Sequence, residues 1–381
     1  MRIAQVAPLY ERVPPTTYGG TERVVSYLTE ELVRLGHEVT LFATGDSCTS
    51  ATLAPMRARA IRTDVSCQDP LACHLLMLEE VFRAAPDFDV VHFHTGFLHF
   101  SVARRMPCAH VTTLHGRLDV ADLPALFDEF RDMPLVSISN AQRRPLAHAS
   151  WQRTVYHGLP PTLLPFSPKA RGYLVFVGRI SPEKRPDRAI EIARHAGLPL
   201  KIAAKVDNAD REYFQEIIEP MLSAPGVEYI GEVEESQKAD LLGGAQALLF
   251  PIDWPEPFGM VLIEAMACGT PIIAWNHGSV SEIVGHGRNG FLVDSIKDAA
   301  AAVVESVKLD RASCRAVFDA RFTADRMASD YVSIYEKLLE RSIGRGRQES
   351  QRDRSRRGPE SVLHRHANRA GGRADPRSEA W

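Results

Sequence analysis

Ala247-Leu248-Leu249-Phe250-Pro251-Ile252-Asp253-Trp254-Pro255-Glu256-Pro257-Phe258-Gly259-Met260-Val261-Leu262-Ile263-Glu264 is the stretch on which the reading of this chain turns. Its first four residues are a short apolar run with the length of a strand. A loop rich in proline follows, then a helical-period segment expected over Phe258–Cys268, then a second strand near Pro271–Ala274. Strand, loop, helix and strand in that order make the repeating unit of a parallel sheet. Glu256 falls just before the expected helix and Glu264 two turns inside it, with a glycine turn between them. Carboxylates accept hydrogen bonds from sugar and ribose hydroxyls, and the N–H groups at a helix start attract phosphate. The segment therefore has the chemistry of a site for a polyhydroxyl, anionic ligand. An acid placed favourably for a helix dipole is the bland alternative, and the rest of the chain has to decide between them.

Outward from this stretch the same alternation recurs from the first residue to about residue 340. In the first half strands are expected near Ile3–Ala7, Glu38–Ala43, Val90–His94, His110–Leu114, Leu135–Ser139 and Thr154–Tyr156, with a helix over Thr21–Leu35 ended by Gly36. In the second half they are expected near Tyr173–Val177, Leu200–Ala204, Val227–Ile230, Ala247–Phe250, Pro271–Ala274 and Phe291–Val293. Helices near Asp187–His195, Arg211–Leu222, Glu235–Leu242, Phe258–Cys268 and Ile296–Val307 alternate with them. The segment between Gly158 and Pro168 carries four prolines and reads as a linker or domain edge. The expectation is an α/β protein of two Rossmann-like parallel-sheet domains, 1–165 and 166–325. Open α/β sheets bind ligands at the carboxyl ends of their strands, so two such ends facing each other would enclose a donor and an acceptor in a cleft.

The chain of 381 residues is long enough for two ordinary domains, and its 45% hydrophobic and 24% charged residues are those of a globular protein. A net charge of −3 gives no signal for nucleic acid, and no specific nucleic-acid partner is expected. No apolar run approaches the ~20 residues that span a bilayer. The first residues read as a strand rather than a signal peptide, and the six scattered cysteines read as buried thiols; the expected location is the cytoplasm. From residue 341 onward apolar periodicity disappears and arginine exceeds acid by six. This Arg-rich tail, 341–381, is expected to be disordered; it could touch anionic lipid, although a solvated extension is the plainer reading. Arg57, Arg59 and Arg62 hint likewise at an anionic acceptor or a membrane surface, again against a solvated face.

Three further motifs carry chemistry. Gly19-Gly20-Thr21-Glu22 follows the first strand, where paired glycines let a backbone approach a ligand closely. Gly178-Arg179-Ile180-Ser181-Pro182-Glu183-Lys184 ends the first strand of the second half and puts two cations at a strand's carboxyl edge, which suits a diphosphate. His115, after Thr112-Thr113-Leu114, sets an imidazole in the cleft, able to hydrogen-bond a substrate hydroxyl or to act as acid or base; a structural histidine is the alternative. Other patterns are refused. Gly285-His286-Gly287-Arg288-Asn289-Gly290 follows a helix and precedes a strand, the reverse of a dinucleotide fingerprint. Asp87-Phe88-Asp89 reads as a polar turn, and His92 with His94 has no evident third partner for a metal.

Together these motifs, in this order, resemble the retaining glycosyltransferases of family four, which have the GT-B fold; the resemblance runs from residue 1 to about 340. It implies that Glu256 contacts the donor sugar's hydroxyls, that Pro257, Phe258, Gly259 and Met260 form the turn whose N–H groups reach sugar and diphosphate, and that Glu264 binds the ribose. It implies that Arg179 and Lys184 hold the diphosphate, that Gly19 and Gly20 approach the phosphates, and that His115 contacts the transferred sugar. A last helix, 326–340, would cross back to the first domain. Arg185 departs from the glycine common after the lysine, and Ser281 from a common proline.

The activity so implied is transfer of a hexose from UDP- or GDP-sugar to an acceptor hydroxyl with retention, on a glycan, lipid-linked or small-molecule acceptor, with catalytic roles for Glu256, His115, Arg179 and Lys184. No metal or other cofactor is expected, because cations and a helix N-terminus can offset the leaving charge. A phosphorylase or sugar-nucleotide epimerase on the same frame, or a non-catalytic nucleotide-sugar-binding protein, would share the motifs.

Overall fold

The computed structural model describes residues 1–356 other than 18 and 107, and from 343 onward by backbone alone. Residues Met1–Leu339 form one compact unit that holds two parallel sheets. The first contains β1 (Arg2–Val6), β2 (Glu38–Thr44), β3 (Thr52–Arg57), β4 (Val90–Phe93), β5 (Ala109–Thr113), β6 (Leu135–Ser137) and β7 (Trp151–Thr154), in the order β3-β2-β1-β4-β5-β6-β7. The second contains β8 (Leu174–Ile180), β9 (Leu200–Val206), β10 (Val227–Gly231), β11 (Ala247–Phe250), β12 (Ile272–Trp275) and β13 (Gly290–Val293), in the order β10-β9-β8-β11-β12-β13. Every pairing is parallel, so the central strands are covered on both faces and read as near-continuous apolar runs. In each sheet the order reverses beside the first strand, between β1 and β4 and between β8 and β11. Those are the switch points at whose carboxyl edges a crevice opens.

All twelve expected strands are present, most within two residues of the expected ends; β7 begins earlier, at Trp151 rather than Thr154. One strand was not expected. The β3 edge strand contains Pro55 and has no clean alternation of buried and exposed residues, and proline is tolerated at an edge because one side of such a strand needs no ladder partner. The Pro70–Ala84 and Arg311–Arg321 helices were also unforeseen. The expected Arg211–Leu222 helix is interrupted by a π-helical turn over Phe214–Ile218. The quoted helix starts at Met260, not Phe258, so Glu264 lies in its second turn.

Between the sheets the chain passes through Gly158 and Leu159, and it returns at Thr323. Leu159 N–H donates to Phe322 O (2.9 Å) and Ala324 N–H to Leu159 O (2.8 Å). The last helix, Ala324–Arg356, buries Met327, Tyr331, Ile334, Tyr335 and Leu338 in the core that also contains Ile3, Val90 and Val111 of the first sheet. Their spacing of three and four residues is one helix face. Each large side chain so buried contributes roughly 1.5–3 kcal/mol. This helix enters the segment expected to lack order: Arg, Gln and Glu prolong a helix that is already nucleated at little cost. The rest of that expectation, 357–381, lies outside the described residues. Among the described residues no helix is long and apolar enough to cross a membrane.

Candidate active site

One cavity of about 670 Å³ opens at the carboxyl edges of both sheets. Gly19, Gly20, His115, Arg179, Lys184, Glu256, Pro257, Phe258, Gly259, Met260 and Glu264, the residues singled out in the sequence, all line it.

The loop after β11 sets the two glutamates. Gly259 has φ +82°, a left-handed conformation that turns the chain sharply into the Met260–Ala267 helix and that only glycine adopts without strain. Phe258 is buried, 4.8 Å ring to ring from His157. Glu256 is buried too. Its carboxylate accepts from Trp254 Nε1–H at 3.1 Å and is ion-paired with Lys184, whose ammonium lies 4.7 Å from the centre of the Trp254 ring. Glu264 is held by Lys238 at 2.8 Å. Backbone ties this loop to the one after β8, Asp253 N–H donating to Glu183 O at 2.8 Å.

The expected cation pair is therefore not free charge. Arg179 is ion-paired with Glu183 and stands 3.4 Å from Asp210 and 3.8 Å from Asp207. An anion arriving here exchanges with carboxylates rather than meeting bare cations. Arg185, which stands where glycine is common, adopts the left-handed region at φ 54°. Its guanidinium clips Asp187 at 2.7 Å and Asp253 at 3.0 Å, which fixes the start of the glutamate loop.

From the first sheet come His94, His115 and the Gly19-Gly20 turn. His115 Nε2 lies 2.8 Å from His94 Nδ1, and His94 Nε2 lies 2.9 Å from Gln5 Oε1. The His115 ring stacks on His157 at 5.3 Å and 18°. Burial pushes the His115 imidazolium down to about 3 and holds His94 and His157 well below the usual histidine range. A neutral ring whose Nε2 is already engaged is poorly placed to be a general acid. With Nε2 bonded to His94 and Nδ1 buried, the geometry selects none of the readings open to His115 in the sequence.

Glu22 is buried on the same wall, and burial raises its carboxyl to about 7. Arg62 lines the cavity paired with Glu11 at 2.9 Å, whereas Arg57 is bound to Asp64 at 2.6 Å. Two members of the basic trio thus have local acidic partners. The refused motifs fall where expected: residues 285–289 form the loop into β13, and Asp89 accepts from Arg2 N–H at 2.7 Å at the start of β4.

Sequence reasoning missed Gln5, Lys238, Trp254 and His157 as cavity residues or their supports. His94 left a signal, since His92 and His94 share a strand face, and Trp254 lies two residues before its partner Glu256 in the quoted stretch; Gln5, Lys238 and His157 left none, because their partners are distant in sequence.

Comparison with known proteins places this geometry. The pattern of the family Glycosyl transferases group 1 matches residues 165–320, and that of Glycosyltransferase Family 4 matches residues 18–178. The chain is 26% identical to a glycogen synthase of Mycobacterium tuberculosis over 87% of its own length and 91% of the relative. Among solved structures it is similar to AviGT4, a glycosyltransferase involved in avilamycin A biosynthesis, at 26% identity and a TM-score of 0.69, covering 89% of this chain and 98% of that one. It has the fold of Anabaena Alr3699/HepE, solved in complex with UDP and glucose, at 18% identity and a TM-score of 0.66, covering 88% and 100%.

Proposed function

The chain belongs to the group 1 glycosyltransferases of GT-B fold, and from that premise we propose that it moves a hexose from a nucleoside-diphosphate sugar to an acceptor hydroxyl with retention of configuration. The observation that carries this reading is the convergence of Glu256, Glu264, Arg179, Lys184 and the Met260–Ala267 helix start on one cavity. Each suits one part of such a donor. Glu264, steadied by Lys238, accepts from ribose hydroxyls, and Glu256 accepts from hydroxyls of the sugar. Lys184, Arg179 and the helix N–H groups face the charge that grows on the diphosphate as the anomeric bond breaks; fixed charges of this kind are the largest catalytic contribution in many enzymes. HepE was solved with UDP and glucose, which makes a UDP-sugar the first donor to try here.

In the retaining step the acceptor oxygen bonds to the anomeric carbon on the face the diphosphate leaves. The departing phosphate oxygen takes the electron pair of the broken bond and the acceptor's proton. No side chain serves as nucleophile, and no divalent ion is required, because lysine, arginine and helix offset the charge. The acceptor binds on the side of the first sheet.

Kinetics test this. Lys184→Ala lowers kcat/KM by about 100-fold, the size of effect seen for a lost oxyanion donor, while wild-type turnover of UDP- or GDP-sugar persists in excess EDTA. Activity lost in EDTA and restored by Mg²⁺ or Mn²⁺ would contradict the metal-free reading. Wild-type rates in Lys184→Ala would remove the diphosphate role.

A further inference from the structure

Behind His115 runs an unbroken chain of buried hydrogen-bonding groups. His115 Nε2 meets His94 Nδ1 at 2.8 Å, and His94 Nε2 meets Gln5 Oε1 at 2.9 Å. Gln5 Nε2–H donates to Tyr335 OH at 3.1 Å. Tyr335 OH meets His92 Nδ1 at 2.8 Å, His92 Nε2 meets Thr113 Oγ1 at 2.8 Å, and Thr113 Oγ1 meets Tyr331 OH at 2.8 Å. The chain starts at the cavity and ends on the last helix. His115 Nδ1 is buried and has no partner among the described residues.

The amide of Gln5 gives this chain a direction. Its oxygen can only accept, so His94 carries its proton on Nε2 and presents a lone pair at Nδ1. His115 must then donate from Nε2, which leaves Nδ1 as a bare lone pair. The reverse orientation of the amide would put an N–H on His115 Nδ1, a buried donor with no acceptor, and orphaned N–H groups are the rarer and costlier case. On the other side Gln5 donates to Tyr335, Tyr335 to His92 and His92 to Thr113, so every bond runs the same way.

We propose that Gln5 is a positioning residue that fixes His115, through His94, as the neutral Nε2–H tautomer. This rests on the reading of the cavity as a sugar-nucleotide site, but its first test does not.

The full chain, labelled with ¹⁵N-histidine, gives two-bond ¹H–¹⁵N correlations that separate the tautomers, with His115 assigned by loss of its signals in His115→Gln. The expected wild-type result is a protonated Nε2 and a bare Nδ1 between about pH 6 and pH 8. Gln5→Met removes the acceptor behind His94, and the single tautomer at His115 is lost. Gln5→Glu accepts from both His94 and Tyr335 and keeps it. A proton on Nδ1 in the wild type, or an unchanged tautomer in Gln5→Met, overturns the proposal. If Gln5→Met does not fold, the wild-type and Gln5→Glu spectra still decide, since either one showing Nδ1–H refutes the direction of the chain. The second readout is hydrolysis of UDP-glucose. Gln5→Met loses about tenfold in kcat with KM for the donor little changed, and Gln5→Glu recovers it. A wild type that does not turn over this donor counts against the donor reading, and the spectra settle the tautomer independently.

Discussion

At the scale of single residues, Gly278 shows how a side chain that is missing can set one that acts. A Cβ on Gly278 would stand 2.3 Å from Glu256 O and 2.4 Å from Glu256 N, and its φ of +61° is left-handed. Beside it Ser279 N–H donates to Glu256 O at 2.9 Å, and Ser279 Oγ–H donates to Phe258 O at 2.9 Å. The loop that aims Glu256 thus rests on a glycine that admits no methyl group. Gly278→Ala should cost about 2–3 kcal/mol from strain and overpacking and lower the melting temperature by roughly 5 °C. It should also displace Glu256 enough to reduce kcat/KM by at least about tenfold. A variant with wild-type melting and turnover would show that the loop adapts freely. That Glu256 and Glu264 line the cavity was legible because each sits in a local pattern of proline, glycine and helix start. The support from Gly278, more than twenty residues away, was not, because nothing local distinguishes it from an ordinary turn glycine. Arg179 was legible as a cavity residue and Glu183 stood in the same motif, but its neighbours Asp207 and Asp210 were not legible as such, since they follow the neighbouring strand β9.

At the scale of elements, the Glu235–Gly244 helix does two jobs one turn apart. Lys238 holds Glu264 on the cavity wall, and Glu235 reaches the first sheet's Gly20–Arg34 helix, where it pairs with Arg23 and accepts from Tyr27 OH at 2.8 Å. Arg23 is nearly inaccessible, 6% exposed at its side chain against 28% for Glu235. Its guanidinium also donates to Thr17 O at 2.8 Å, just before the Gly19-Gly20 turn. Removing one partner of a buried pair leaves an uncompensated charge and typically costs about 3–5 kcal/mol; the exposed side of Glu235 reduces this to roughly 2 kcal/mol. Glu235→Ala should therefore melt several degrees lower, and it should bind nucleoside diphosphate more weakly although residue 235 is not among the proposed donor contacts. Full affinity in a destabilised Glu235→Ala would separate the two jobs and refute the coupling. The helix was legible as an element from its period, whereas its bridging role depends on two sheets meeting. The same limit explains the elements that were not foreseen. Pro55 disguised β3, and the Pro70–Ala84 helix exposes Leu71, Leu75 and Leu76, which blurs the polar face by which a surface helix is recognised.

At the scale of the whole molecule, the first sheet and the strand-to-linker turn carry an unusual load of buried imidazole. Burial holds His92, His94, His99 and His157 well below the ordinary histidine range and takes His115 down to about 3. These rings are neutral in the folded protein and charge when it unfolds. A base whose folded value is depressed contributes stability that is present above its unfolded value, near 6.5, and is lost as pH falls through and below it. Each such ring makes unfolding easier by about 1.4 kcal/mol per pH unit below that point. Glu22 works the other way. Its folded carboxyl is raised to about 7, and burial raises that of Glu11 as well, so the penalty of burying these charges is relieved on acidification, but the carboxyls cannot offset five imidazoles. The melting temperature should stay nearly level between about pH 8 and pH 7 and fall steeply between about pH 6.5 and pH 5, with several protons taken up on unfolding. Calorimetry in buffers of different ionisation enthalpy counts those protons directly. Because the five histidines belong to the first sheet and its exit, Glu256 and the loops after β8 and β11 should keep hydrogen-exchange protection at acidities where β4 and β5 have begun to lose it. A melting temperature that does not change between pH 7 and pH 5, or acid-induced exchange that begins in the second sheet, would mean that the imidazoles are solvated in solution and that the chain behind His115 does not persist there.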